Sequence, residues 1–428
     1  MTNTPSNTPS NTPSNSSNHE TIALLITGFG FGQRGVARSV QGELAQVGSR
    51  ATTLVDLDAL LGRTATYRVV SGQSGLRGHE RERIEDALSG AVVVAACDPG
   101  AARILAALTT TDSSPTDPRS HDSTIGDAAI VGPAAFGPLV RRTAAIVTSL
   151  AWERYPLFRH GAVVVAGVAG ADRQAGSSHG DFGTNHSLSD SVFDLYLATD
   201  MLQAMDMAEA GIPADRIVPI GAATCGGFAL AASLDRAESR QSCGLDPNLP
   251  ALLLVTERLR PDEAVGLIGR MDALFVEAKN ASKNPPFQLL IDTALDLDTN
   301  LALERALETR SWPHVLFGKT DMAHLLWASA DALLCTPLDH LVMRGLGLAQ
   351  FVVTLPSHSE LESRIGHEVA RRSGLAVGDL HDLTSTLLQV FDRLDRLAPL
   401  AAAHRSTKAA TYMAMALARL AALPPDQW

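Results

Sequence analysis

Ile22-Ala23-Leu24-Leu25-Ile26-Thr27 runs directly into Gly28-Phe29-Gly30-Phe31-Gly32-Gln33-Arg34-Gly35. The first six residues are an apolar run of strand length. The glycines then let the backbone turn sharply and approach a ligand, and a helix that follows aims free N–H groups at an anion. Val36, Val40, Leu44 and Val47 fall at i, i+4, i+8 and i+11, one face of a helix that Gly48 closes. A second apolar run, 52–55, ends at Asp56. Taken from Gly30 the loop satisfies G-x-G-x-x-G, and Asp56 follows Gly35 at the spacing of a dinucleotide-binding fingerprint, about 20 residues. An NAD(P)-dependent enzyme built on Gly30, Gly32, Gly35 and Asp56 is therefore one reading. A tight turn with a purely structural role is another.

The same alternation continues outward. Run 91–96 is a buried-strand pattern followed by Asp98-Pro99-Gly100, a turn that opens a helix. Residues 109–127 read as a polar surface loop, and 129–131, 144–148, 162–166 and 194–197 supply further strand candidates. A second series has strand candidates at 251–256, 288–293, 314–317, 332–335 and 350–355, with a helix at 383–394. Such alternation implies α/β architecture: two Rossmann-like, doubly wound domains with helices on both faces of mainly parallel sheets. The expected divisions are a disordered tail at 1–19, a first domain at 20–224, a linker at 225–244, a second domain at 245–400 and a closing helix at 401–428. The tail repeats Asn-Thr-Pro-Ser and has no apolar residue to bury at 3–14. Ala409, Tyr412, Met413, Ala416, Leu417 and Leu420 share one face of the closing helix, which either packs back on the first domain or stays on its own.

Composition narrows the classes. The chain has 428 residues, enough for two cores of ~200 residues each. With 35 Lys and Arg against 46 Asp and Glu, the net charge is -11, which argues against a nucleic-acid partner. Four cysteines lie far apart without a CxxC pair, so neither a disulfide framework nor a bound metal is expected. The longest apolar runs, such as 91–97 and 162–169, fall far short of the ~20 residues that span a bilayer, and the start lacks a secretory signal. A cytoplasmic protein is the expectation.

Asp181-Phe182-Gly183-Thr184-Asn185-His186 places a carboxylate and an imidazole around one glycine in a polar stretch. The pair can serve as acid and base or orient a hydroxyl. A solvated loop with an incidental histidine is the alternative. This motif resembles the acceptor-domain motif of the monogalactosyldiacylglycerol synthase group of glycosyltransferases, which is related to the enzyme that adds N-acetylglucosamine to lipid I. The stretch 193–199 resembles the strand that follows in that group. Ala210-Gly211-Ile212-Pro213, with Arg216-Ile217-Val218-Pro219-Ile220-Gly221, resembles the run at its inter-domain hinge, and Cys243-Gly244-Leu245 the start of its second domain. Segments 314–318, 321–322, 328–331 and 347–348 follow its donor-domain order.

The resemblance implies a GT-B fold that takes no cofactor, with an acceptor on the first domain and a nucleotide sugar, a UDP-sugar, on the second. It implies catalytic roles for His186 and Asp181, an acceptor loop of Gly28, Gly30, Gly32 and Gln33, and donor contacts from Thr256, Arg258, Gly318, Asp339, His340 and Glu360. A lipid acceptor and peripheral contact with an anionic membrane are part of the same implication. Arg141, Arg142, Trp152, Arg154, Tyr155, Phe158 and Arg159 are the best basic-aromatic patch for such contact, a helix with its aromatic face in the core being the other reading.

The sequence also departs from that group. Gln33 stands where the group has a histidine, and cannot take up a proton at neutral pH. The turn Thr256-Glu257-Arg258-Leu259-Arg260 has no glycine, and in Thr336-Pro337-Leu338-Asp339-His340-Leu341-Val342 the group's Thr and Glu become Asp339 and Val342. Arginine forks at Arg258 and Arg260 could meet phosphate instead. Three functions are carried forward: a glycosyltransferase acting on a lipid or other hydroxyl acceptor, a catalytically silent relative that binds a lipid, nucleotide or partner protein, and the NAD(P) enzyme. The last lacks a Tyr-x-x-x-Lys pair.

Overall fold

Apolar runs with no polar alternation can pair only in a sheet covered on both faces, and the chain builds two of them. The computed structural model describes residues 21–27, 33–48, 50–71, 75–97, 99–109, 142–146, 150, 193–222, 224, 226–280, 287–293, 296–372 and 374–423. The first sheet contains β1 (Thr21–Ile26), β2 (Ala51–Asp56), β3 (Ala91–Ala96), β4 (Arg142–Ile146), β5 (Leu195–Ala198) and β6 (Ile217–Pro219), in the order β2-β1-β3-β4-β5-β6. The second contains β7 (Ala251–Val255), β8 (Gln288–Asp292), β9 (His314–Phe317), β10 (Ala332–Cys335), β11 (Phe351–Thr354) and β12 (Leu375–Ala376), in the order β12-β11-β10-β7-β8-β9. Every neighbouring pair is parallel. Every residue of β3, β7, β8 and β10 is buried.

In each sheet the winding reverses once, between β1 and β3 and between β7 and β10. Ligands of doubly wound folds bind outside the strand ends at such reversals. Two short strands have no counterpart among the expected runs. β6 has three residues and β12 has two, the latter exposed. Within 225–244, the expected linker, lie helices Gly226–Ala231 and Arg236–Ser242. Arg240, buried, pairs with Asp331 and donates to the Ser329 carbonyl at 2.9 Å, fixing this stretch on the second sheet.

The halves meet in a charged clasp. Arg371 grips Asp206 with two hydrogen bonds of 2.9 Å. Arg372, buried, reaches Asp200 at 2.6 Å and Glu368 at 2.5 Å. Asp200 also caps the helix Met201–Glu209 by accepting the Gln203 N–H at 2.7 Å. The helix Ala409–Ala422 returns to the first half. Its Met413, Leu417 and Leu420 share a cluster with Ile22, Leu24, Val36 and Leu44, and the Thr411 hydroxyl donates to Glu43 at 2.8 Å. Ala409 is buried with them, whereas Tyr412, expected on the same face, is exposed.

Candidate functional site

The reversal in the second sheet brings two chain segments together. After β7, the Leu259 N–H donates to the Thr256 carbonyl at 2.9 Å, closing a turn over 256–259. Arg258, third in that turn, has φ 71°, the left-handed region in which turns favour glycine. The missing glycine thus did not abolish the tight turn; an arginine adopts its backbone conformation. After β10, helix Asp339–Gly347 begins. His340 Nε2 lies 3.0 Å from Glu257 Oε2, and the Thr336 hydroxyl donates to the Glu257 carbonyl at 3.0 Å. Burial works to raise the Glu257 carboxyl, but the hydrogen bond and charge of His340, with Arg344 and Arg258, outweigh it and hold the group below the usual carboxylate range. The carboxylate is therefore ionised at neutral pH.

Arg344 lies with its guanidinium 4.4 Å from the Phe228 ring centre and 4.6 Å from that of Trp327. Trp327 is anchored by its indole N–H on Asp292, 2.7 Å away at the end of β8. Burial pushes the Cys335 thiol up, and the charge of Glu257 adds to it, so this cysteine stays a neutral core thiol.

Both helix starts near this site carry their own acids. Helix Pro261–Asn280 has Asp262 and Glu263 in its first turn, and Glu263 accepts the Arg260 N–H at 2.9 Å. Asp339 opens the other helix and accepts the Leu150 N–H at 2.9 Å. These carboxylates offset the positive helix ends that would otherwise attract an anion. Positive charge for a phosphate must come from side chains, with Arg258 exposed beside the pair.

The expected donor residues are only partly gathered. Thr256, Arg258, Asp339 and His340 lie on the two segments that meet. Gly318 follows the edge strand β9, two strands from β7, and Glu360 is the first residue of helix Glu360–Arg371 after β11. Glu257 and Arg344 were not singled out from the sequence. Glu257 carried a signal only as an acid in a turn where glycine was expected. Arg344 carried none. In the first half, Gly28, Gly30, Gly32, Asp181 and His186 lie outside the described residues, as do the 1–19 tail, strand candidates 129–131 and 162–166, and Arg141, Trp152, Arg154, Tyr155, Phe158 and Arg159. Gln33 opens helix Gln33–Gln46, and Arg142 opens β4. Asp56 of the dinucleotide reading accepts the N–H groups of Asp58 and Ala59 at 3.1 and 3.2 Å and pairs with Arg34. Both its oxygens are already engaged locally. Among the described residues no cluster of three metal-ligating side chains occurs, and no helix is long and apolar enough to cross a membrane.

No protein-family model and no curated protein matches the chain. Solved structures do. A UDP-GlcNAc 2-epimerase from Neisseria meningitidis bound to UDP-GlcNAc aligns at TM-score 0.53 and 11% identity, covering 93% of this chain and 100% of that one. MurG of Acinetobacter baumannii aligns at 0.52 and 11%, covering 93% and 99%. MnaA of S. aureus with UDP aligns at 0.51 and 10%, covering 92% and 94%. Two six-stranded parallel sheets, each flanked by helices and matched over nearly the whole chain, give this protein the GT-B fold.

Proposed function

We propose that the chain binds a UDP-sugar at the reversal point of its second sheet and transfers the sugar to a hydroxyl acceptor held by the first half. The observation that carries this reading is the meeting of the 256–258 turn with the start of helix Asp339–Gly347, where His340 and Glu257 pair beside Arg258. Structures of the same fold crystallised with UDP-GlcNAc and with UDP support the ligand class. In the transfer, the acceptor oxygen attacks the anomeric carbon in line with the bond to the diphosphate. That bond breaks, and its electron pair leaves with the diphosphate. The acceptor proton passes to Asp181 or His186, in place of the histidine that Gln33 replaces. Arg258 and His340 stabilise the charge on the leaving group. A lipid acceptor, with the protein peripheral to an anionic membrane, is the acceptor class that the motif 181–186 suggests.

A second reading has one specific observation in its favour. An ionised Glu257 beside two acid-capped helix starts repels a diphosphate, which suits a catalytically silent relative that binds a lipid, a nucleotide or a partner protein. Calorimetry with UDP, UDP-GlcNAc and NADH tests both. UDP should bind wild type, NADH should not, and Glu257→Gln should tighten UDP several-fold by removing a like charge. His186→Ala should cut turnover ~10²–10⁴-fold with UDP affinity unchanged. Absence of UDP binding in wild type and Glu257→Gln alike would overturn the donor assignment. UDP binding without turnover would favour the silent relative.

A further inference from the structure

One edge of the second sheet is β9, and the direction of its backbone groups follows from its bonds to β8. The carbonyls of Pro313 and Phe317 accept the N–H groups of Leu289, in β8, and Thr293, just after it, at 3.0 Å each. Alternation along a parallel strand turns His314 and Leu316 the other way, with N–H and C=O aimed off the edge. Such an edge is a template for another strand, and proteins commonly blunt it with a charge or a bulge. β9 has neither. It reads His-Val-Leu-Phe, and its register with β8 runs unbroken over all four residues. The other edges differ. β6 and β12 have three and two residues, and on β2 the Thr52 carbonyl accepts the Gln41 side-chain amide at 3.2 Å.

A groove of about 770 Å³ lies along this edge. His314, Val315 and Leu316 line it from the strand, and Glu304, Arg305 and Glu308 from the end of helix Leu297–Leu307. The sheet is parallel throughout, so this is the end remote from the 256–259 turn and Asp339, which follow their strands. Glu304, Arg305 and Glu308 are exposed, and no side-chain hydrogen bond or ion pair engages them among the described residues. Arg310, by contrast, is held by Asp272 at 2.8 Å. Leu297, Leu301, Arg305 and Glu308 fall at i, i+4, i+8 and i+11, one stripe of the helix. Its two leucines are 69% and 43% exposed. The stripe thus offers apolar surface together with both signs of charge.

We propose that β9 and this helix end form the interface of a two-fold dimer of the chain. An occupant of the groove must bring a free strand edge and charges that complement Glu, Arg and Glu. A second copy brings both. A two-fold through the middle of β9 lays the two strands antiparallel, with His314 of one copy opposite Leu316 of the other. These are the pairs that exchange N–H and C=O bonds. The same rotation sets Arg305 of each copy among Glu304 and Glu308 of the other, the self-complementarity that an isologous interface requires. The two sheets then join into one of twelve strands, a width that large α/β enzymes reach.

Sedimentation velocity of the full chain over a micromolar concentration series should show a monomer–dimer equilibrium. Amide exchange at His314 and Leu316 should slow at least tenfold between the bottom and the top of that series. Val315 and Phe317, whose N–H groups face β8, should not change. Arg305→Glu, and separately Glu304→Arg with Glu308→Arg, should each sediment as a monomer that remains folded by circular dichroism. Mixing the two variants should restore a dimer, because three acids of one then face three bases of the other. A wild-type chain that stays monomeric would overturn the proposal. So would a dimer that both charge reversals leave intact, one without slowed exchange at His314 and Leu316, or two folded variants that fail to pair. UDP binding decides none of these outcomes, so the donor reading and this interface stand or fall separately.

Discussion

Arg258 shows how much one backbone angle can hold. A left-handed conformation costs a non-glycine residue roughly 1–2 kcal/mol, and glycine at the same position costs about 0.5–1 kcal/mol in unfolded-chain entropy. Arg258→Gly should therefore leave stability unchanged or raise it by up to ~1 kcal/mol, while Arg258→Val, branched at Cβ, should lower it by ~1–2 kcal/mol. Urea unfolding of the two variants measures both. An equal loss in both would mean that the arginine side chain, rather than the angle, stabilises the turn. Keeping an arginine where glycine would be less strained is what a residue chosen for its charge would do.

At the scale of elements, the segment after β6 depends on Gly221. Its φ is 97°, and a Cβ there would overlap the Ser406 hydroxyl. Ser406 in turn donates its N–H to the Gly347 carbonyl at 3.2 Å. Gly221→Ala must therefore strain its own backbone and push the chain before the last helix away. A loss of about 2 kcal/mol or more is expected in denaturant unfolding, and Gly244→Ala, with positive φ but open space around it, should lose less. The strands were legible where they are long and buried: β1, β3, β7, β8 and β10 coincide with apolar runs. β6 and β12 were not, because runs of three and two residues become strand only by pairing with a neighbour distant in sequence. The site followed the same division. Thr256, Arg258 and His340 could be placed by position after strands, but the Glu257–His340 contact joins residues 83 apart, and no local spacing encodes it.

Across the whole molecule, the clasp of Arg371 and Arg372 on Asp200, Asp206 and Glu368 ties the two sheets into one body. Arg372 is the member with most at stake, its side chain being 1% exposed. Removing one partner of a buried ion pair leaves the others uncompensated, at a cost of about 3–5 kcal/mol. Arg372→Met should destabilise by that order and split one calorimetric unfolding transition into two, as each half loses its grip on the other. Arg371→Met, at a more exposed position, should cost less and keep the transition single. A single transition at unchanged temperature in Arg372→Met would mean that apolar contacts, not this clasp, join the halves.

The return of helix Ala409–Ala422 to the first half has a consequence for how the protein is made. Met413, Leu417 and Leu420 complete a core whose members before the last helix, from Ile22 to Ile220, leave the ribosome about two hundred residues or more earlier. At ~5–20 residues per second that gap lasts roughly 10–40 s. Throughout it the first sheet has an unsealed apolar face, and in a crowded polysome the helix of a neighbouring nascent chain could seal it just as well. The seam that closes the molecule is therefore also the place where two molecules can be stitched together.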